Sequence, residues 1–227
     1  MHLVLAANGS GSWIWWQWVQ THEGRIWQLT RQHVELTVIA VAIGLVISFP
    51  LALVARRWRW LEAPILGGTG VLYTIPSLAA IGLLLPLTGL SRTTAVIVLV
   101  SYTLLILIRN IVAGLDGVPA DVRDAARGMG FSAARMLVTI ELPLAMPAII
   151  AGIRIATVTT IGLVTITALL GPAGGGLGQL IYDGLLRDFR TPLVVGSALS
   201  VLLAIVADLG LVGVQRLVTP WANRKAG

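Results

Sequence analysis

Apolar residues gather in five runs along the chain, separated by short stretches rich in Arg, Asp, Gly and Pro. Residues 36–55 carry no charge. Residues 63–90 carry Pro64, Pro76 and Pro86, which trims the predicted span to roughly 65–86. Residues 93–115 hold Arg109 near their end, 142–170 are interrupted by Arg154, and 192–218 by Asp208. Each run is long enough to cross about 30 Å of hydrocarbon at 1.5 Å per residue. The pattern predicts an all-α integral membrane protein with about five transmembrane helices over residues 34–218. An interfacial, extracytoplasmic segment (1–33) precedes them, and a cytoplasmic tail (219–227) follows.

Composition agrees with lipid as part of the solvent: 56% of the 227 residues are hydrophobic and 11% charged, against about 25% charged in soluble domains. The net charge of +6 comes almost wholly from Arg, with one Lys at position 225. These cations are scattered between apolar runs, so they form no contiguous basic face for nucleic acid. There is no Cys, which excludes disulfides and thiolate metal sites. Residues 1–7 are too short an apolar run for a secretory signal and lack a basic start, so insertion falls to the later spans.

Loop charge predicts orientation. Arg56, Arg57, Arg59, Arg109, Arg123, Arg127, Arg135, Arg216, Arg224 and Lys225 fall on one side. Arg25, Arg31, Arg92, Arg187 and Arg190 fall on the other. That split puts residues 116–141 and the C-terminus in the cytoplasm and the N-terminus outside. All eight Trp (13, 15, 16, 18, 27, 58, 60 and 221) avoid the centres of the runs, as indole does in preferring headgroup level. Residues 13–33 therefore read as an interfacial helix. A sixth, tilted span is the alternative, and Glu23, Arg25 and Arg31 argue against it. His2, His22 and His33 show no ligand spacing and read as surface residues.

The segment 116–141 is too polar to span and too patterned for a slack linker. Pro119 suits a first helical turn. Val122, Ala125, Ala126 and Met129 follow as one apolar stripe. Gly128 and Gly130 allow a bend, and Ser132 is a candidate N-cap. Ala133, Met136, Leu137 and Ile140 repeat the stripe before Pro143. Two short amphipathic helices joined at a glycine corner result. They bury either against the protein's own spans and lipid headgroups or against a partner.

Asp124-Ala125-Ala126, then Gly130, then Ile140-Glu141-Leu142-Pro143 reproduces the spacing E-A-A, three residues, G, nine residues, I-x-L-P. This resembles the signature loop of permease subunits of bacterial ABC importers, and the five-span layout resembles that family too. The resemblance implies that residues 116–143 form a coupling helix docking on a separate cytoplasmic ATPase subunit, present in two copies. Asp124, Ala125, Ala126, Gly130, Ile140, Leu142 and Pro143 would carry the contact. Asp124 stands where Glu is usual, one methylene shorter. The resemblance also implies a second permease copy or a similar permease, and an extracytoplasmic solute-binding protein. Gly114–Pro119 and Tyr73–Leu78 are similar to the subgroup importing glycine betaine, carnitine or choline; an amino acid or another small polar solute is the alternative.

The glycine-rich run 171–178 lacks the Gly-Lys-Ser/Thr of a phosphate loop and reads as a flexible turn, with a part in the outer gate as the alternative. No cofactor is expected on this chain, and ATP with Mg²⁺ belongs to the partner subunit. No metal site is expected either. Arg154 and Asp208 are costly at bilayer depth. Each lies about 15 Å from the cytoplasmic end of its run at 1.5 Å per residue, so a pair across the fourth and fifth spans is expected; independent snorkelling is the alternative. Tyr73, Ser77 and Tyr102 are candidate path residues, because aromatic faces attract quaternary ammonium groups; ordinary helix packing explains them equally. A membrane protease would need a nucleophile and base in the spans, and no Gly-x-Ser-x-Gly, no His and no paired carboxylates occur there. A channel or secondary transporter would need no docking loop and usually carries repeats.

Overall fold

The computed structural model describes residues 13–221. Residues 1–7, His2, Arg224 and Lys225, all used above, lie outside them. Helix α1 (Trp16–Thr21) is followed by α2 (Glu23–Arg57), α3 (Arg59–Thr74), α4 (Ser77–Thr88) and α5 (Arg92–Asp116). Next come α6 (Ala120–Gly128), α7 (Ala133–Met136), a π turn (Leu137–Glu141) and α8 (Leu142–Val164). A 3-10 segment (Ile166–Ala173), α9 (Gly178–Leu186) and α10 (Arg190–Val218) complete the order. The described residues are helical wherever they are regular, since a helix satisfies its own backbone in lipid.

Four stretches are long and apolar enough to cross a membrane: Glu23–Arg57, Arg92–Asp116, Ala133–Val164 and Arg190–Val218. The pair α3 and α4 makes a fifth if taken together. It is broken because Pro76 has no N–H and disfavours helix at Ile75. At the other end of the chain, residues 23–33 are not a separate helix but the first turns of α2, whose 35 residues run unbroken. Arg31 Nε reaches Glu35 Oε1 at 2.8 Å along that helix, a favourable i,i+4 pair.

The chain divides into two compact units. One takes the residues up to Ala40 with Ile75–Val100 and Thr157–Val206. Its core sets Leu29, Leu177 and Leu180 against Trp18, Ile26, Val195 and Leu199. Trp15 and Trp18 meet Phe189 edge-on, at 6.3 and 5.6 Å between centroids. Arg25 pairs with Asp183. The run 171–178 is not a slack turn: Gly174 to Gly178 are all buried. A side chain on Gly174 or Gly178 would overlap the carbonyl oxygens of Thr167 or Thr165.

His33 corrects the surface reading, because it is fully buried. Its Nδ1 accepts from the Leu177 N–H at 3.2 Å, so Nε2 is the donor to the Ile161 carbonyl at 3.0 Å. Position before the apolar run suggested exposure; the early start of α2 is what carries His33 inside.

The other unit takes Val41–Thr74, Ser101–Ala156 and the residues from Ala207. Its core joins Ala52 and Ala55, Leu107, Ile108, Ile111, Val112 and Leu115, and Ala145, Ile149 and Ala156. Helices approach closely where side chains are small: a Cβ on Gly152 would strike Asn110. This unit carries the segment singled out by the sequence.

Candidate functional site

From Asp116 the chain passes Gly117 and Val118 to Pro119, whose backbone (φ −57°, ψ 141°) caps α6. The far end of α6 closes with two reversed hydrogen bonds: Gly130 N–H to Arg127 O (2.9 Å) and Phe131 N–H to Ala126 O (3.1 Å). That is a Schellman cap, which needs a left-handed residue just past the helix. Gly130 supplies it at φ 79°. Ser132 then caps α7, its Oγ accepting from the Arg135 N–H at 3.3 Å. The π turn follows immediately ahead of Pro143. A proline ring clashes with the carbonyl four residues back, here that of Thr139, and the wider turn relieves that clash.

The sequence stripe on α6 divides in the structure. Ala126 is buried and Val122 half-buried, while Ala125 and Met129 are exposed. At 3.6 residues per turn, the inward direction falls between Val122, Ala126 and Arg123. Arg123 is held there by its hydrogen bonds to the Asp116 and Val118 carbonyls. The outward face presents Asp124, Ala125, Gly128, Met129 and Gly130. Asp124 is occupied by Arg127 at 3.0 Å, with both side chains about two-thirds exposed. Ile140, Leu142 and Pro143 are half-buried at the head of α8.

Beneath this segment lies an ionic network that sequence reasoning did not single out. Glu141, 3% exposed, accepts from both terminal nitrogens of Arg56 at 2.7 and 2.6 Å. Arg56 Nε also reaches Asp116 at 3.3 Å, and Arg59 meets Asp116 at 3.0 Å and Glu62 at 2.8 Å. A cleft of about 450 Å³ opens over the network, walled by Arg57, Arg123, Arg127, Ala133 and Met136 among others. The available signal was Glu141 itself, a charge within an otherwise apolar I-x-L-P entry to a span.

Arg154 donates from Nε and a terminal nitrogen to the two Asp208 oxygens at 2.9 and 3.0 Å, and reaches Gln215 at 3.4 Å. Tyr73 and Tyr102 bring their rings to 5.7 Å. Tyr102 is buried and Tyr73 exposed. Ser77 belongs to the other compact unit, at the start of α4. Among the described residues no cluster of His, Asp and Glu suits a metal ion.

The class this architecture defines is a multi-pass, all-helical membrane protein. More particularly, the chain belongs to the family of binding-protein-dependent transport system inner membrane components, whose model it matches over residues 26–221. It is thus an ABC transporter permease, the non-catalytic transmembrane component. It is 35% identical over 205 residues to the choline transport system permease protein OpuBB of Bacillus subtilis strain 168, covering 90% of this chain and 93% of that one. The osmoprotectant import permease protein OsmW of Salmonella typhimurium strain LT2 is 38% identical over 202 residues, covering 87% and 93%. The glycine betaine/carnitine/choline transport system permease protein OpuCB of Bacillus subtilis is 33% identical over 203 residues, covering 89% and 92%. A chain of the MetNI methionine ABC transporter, in inward-facing conformations, shares the fold. Its TM-score is 0.74 at 20% identity, covering 87% of this chain and 99% of that one.

Proposed function

We propose that this chain is the permease subunit of an ATP-driven importer for a quaternary ammonium osmoprotectant such as glycine betaine, carnitine or choline. It forms half of the path, beside a second copy or a similar permease. A cytoplasmic ATPase subunit, in two copies, hydrolyses ATP with Mg²⁺, and an extracytoplasmic protein delivers the solute. The observation that carries the coupling assignment is the outward face of α6, where Ala125, Gly128 and Gly130 offer close backbone approach beside the exposed Asp124–Arg127 pair. Loop charge supports placing this face in the cytoplasm, with the N-terminus outside.

The solute class rests on the names carried by relatives that match along nine-tenths of the chain. The Tyr73–Tyr102 ring pair, 5.7 Å apart, supports an aromatic wall along the path, attractive to a cation without caging it. Arg154 and Asp208 neutralise one another within their spans.

The test is uptake of radiolabelled glycine betaine, carnitine and choline at high osmolarity, in a strain lacking this chain and in the same strain carrying it. Accumulation of at least one should return with the chain. Restoration of none of the three, while an amino acid is taken up, overturns the solute assignment. A purified chain that never retains an ATPase subunit overturns the coupling assignment.

A further inference from the structure

On its C-terminal side, the covalent route from α6 to α8 runs through two irregular joints. One is the left-handed corner at Gly130 and the other is the π turn Leu137–Glu141. Glu141 bypasses both joints. It stands at the last residue of the π turn, and its carboxylate is gripped by both terminal nitrogens of Arg56, the penultimate residue of α2. A planar, two-bond guanidinium–carboxylate pair fixes direction as well as distance. Arg56 also holds Asp116, the last residue of α5, and Asp116 holds Arg59 at the start of α3. Arg123 ties α6 itself to the carbonyls of residues 116 and 118. Charges alternate along this chain of contacts, and Glu141 is its most buried member. Burying such a pair is a poor way to gain stability, because desolvation offsets the attraction; a geometric role is the better account.

We propose that Glu141 and Arg56 are a positioning pair that passes displacement of the docking segment to the spans, so that ATP hydrolysis and solute movement stay in step. This rests on the importer reading above and adds residues to it. The test uses the complete importer, with its ATPase and solute-binding protein, reconstituted in vesicles. Solute imported per ATP hydrolysed is measured alongside retention of the ATPase subunit. Glu141→Gln keeps the shape and removes the charge; Arg56→Lys keeps the charge and removes the fork.

Each variant should retain the ATPase subunit and hydrolyse ATP, while solute per ATP falls roughly two- to thirty-fold, the span of coupling changes seen for residues remote from ligand. The exchange Arg56→Glu with Glu141→Arg should recover part of the loss. Unchanged solute per ATP in assembled Glu141→Gln and Arg56→Lys importers overturns the proposal. So does loss of assembly in both, which would make the pair a packing element. Failure of the unmutated chain to bind an ATPase or move solute is a separate result and strikes the importer reading instead.

Discussion

Gly130 illustrates how much one residue fixes. Its φ of 79° closes the end of α6, and an L-residue there is penalised by about 1–2 kcal/mol. Gly130→Ala should therefore weaken retention of the ATPase subunit and reduce uptake. Gly130→Asn should do so less, because Asn tolerates the left-handed region. Equal losses in the two variants would point to side-chain bulk at the contact, not to backbone conformation. Arg154 and Asp208 make a different kind of residue-scale statement, since each is costly alone. Arg154→Met and Asp208→Leu should each lower the melting midpoint in detergent, and the double variant should lose less than the sum. Strict additivity in that cycle would remove their mutual dependence.

At the scale of elements, the apolar runs were legible because each is predominantly apolar over a membrane's thickness; four become single spanning helices, and the second falls on the pair α3 and α4. The glycine corner and the Ser132 cap were legible because they depend on residue types at fixed offsets. What escaped had physical reasons. The stripe on α6 divides because Ala is small enough to sit on either side of the boundary, while Arg123's hydrogen bonds hold its side of the helix inward. The run 171–178 read as slack from its composition. In the structure Gly174 and Gly178 meet backbone carbonyls closely, and Gly171, Gly175 and Gly176 take positive φ, demands that composition alone does not distinguish from flexibility. The Glu141–Arg56 pair spans 85 positions, and nothing local announces it. The run 171–178 yields its own prediction: Gly174→Val and Gly178→Val should each destabilise the solubilised protein by about 1–3 kcal/mol or more, as overpacking does. An unaltered melting curve for both would mean the run is slack after all.

At the scale of the whole molecule, orientation is the assignment most open to direct test. The chain has no Cys, so single cysteines report without a background. Trp16 and Met129 are 67% and 68% exposed. Met129→Cys should react with a membrane-impermeant maleimide only in inside-out vesicles, and Trp16→Cys only in right-side-out vesicles. The opposite pattern would invert the topology argued from loop charge. Added ATPase subunit should shield Met129→Cys if α6 is the docking face.

His33 has a consequence for biosynthesis. Its two partners lie 128 and 144 positions further along the chain, so the imidazole leaves the ribosome long before either exists. Until residue 161 is made it has no acceptor in place, and until residue 177 its other nitrogen has no donor. A nascent chain arrested between those points carries a half-matched polar ring in its first span, and expressed truncations ending there should be cleared by membrane proteases faster than one ending after α9. Both hydrogen bonds of the imidazole are complete only once the loop before α9 is in place.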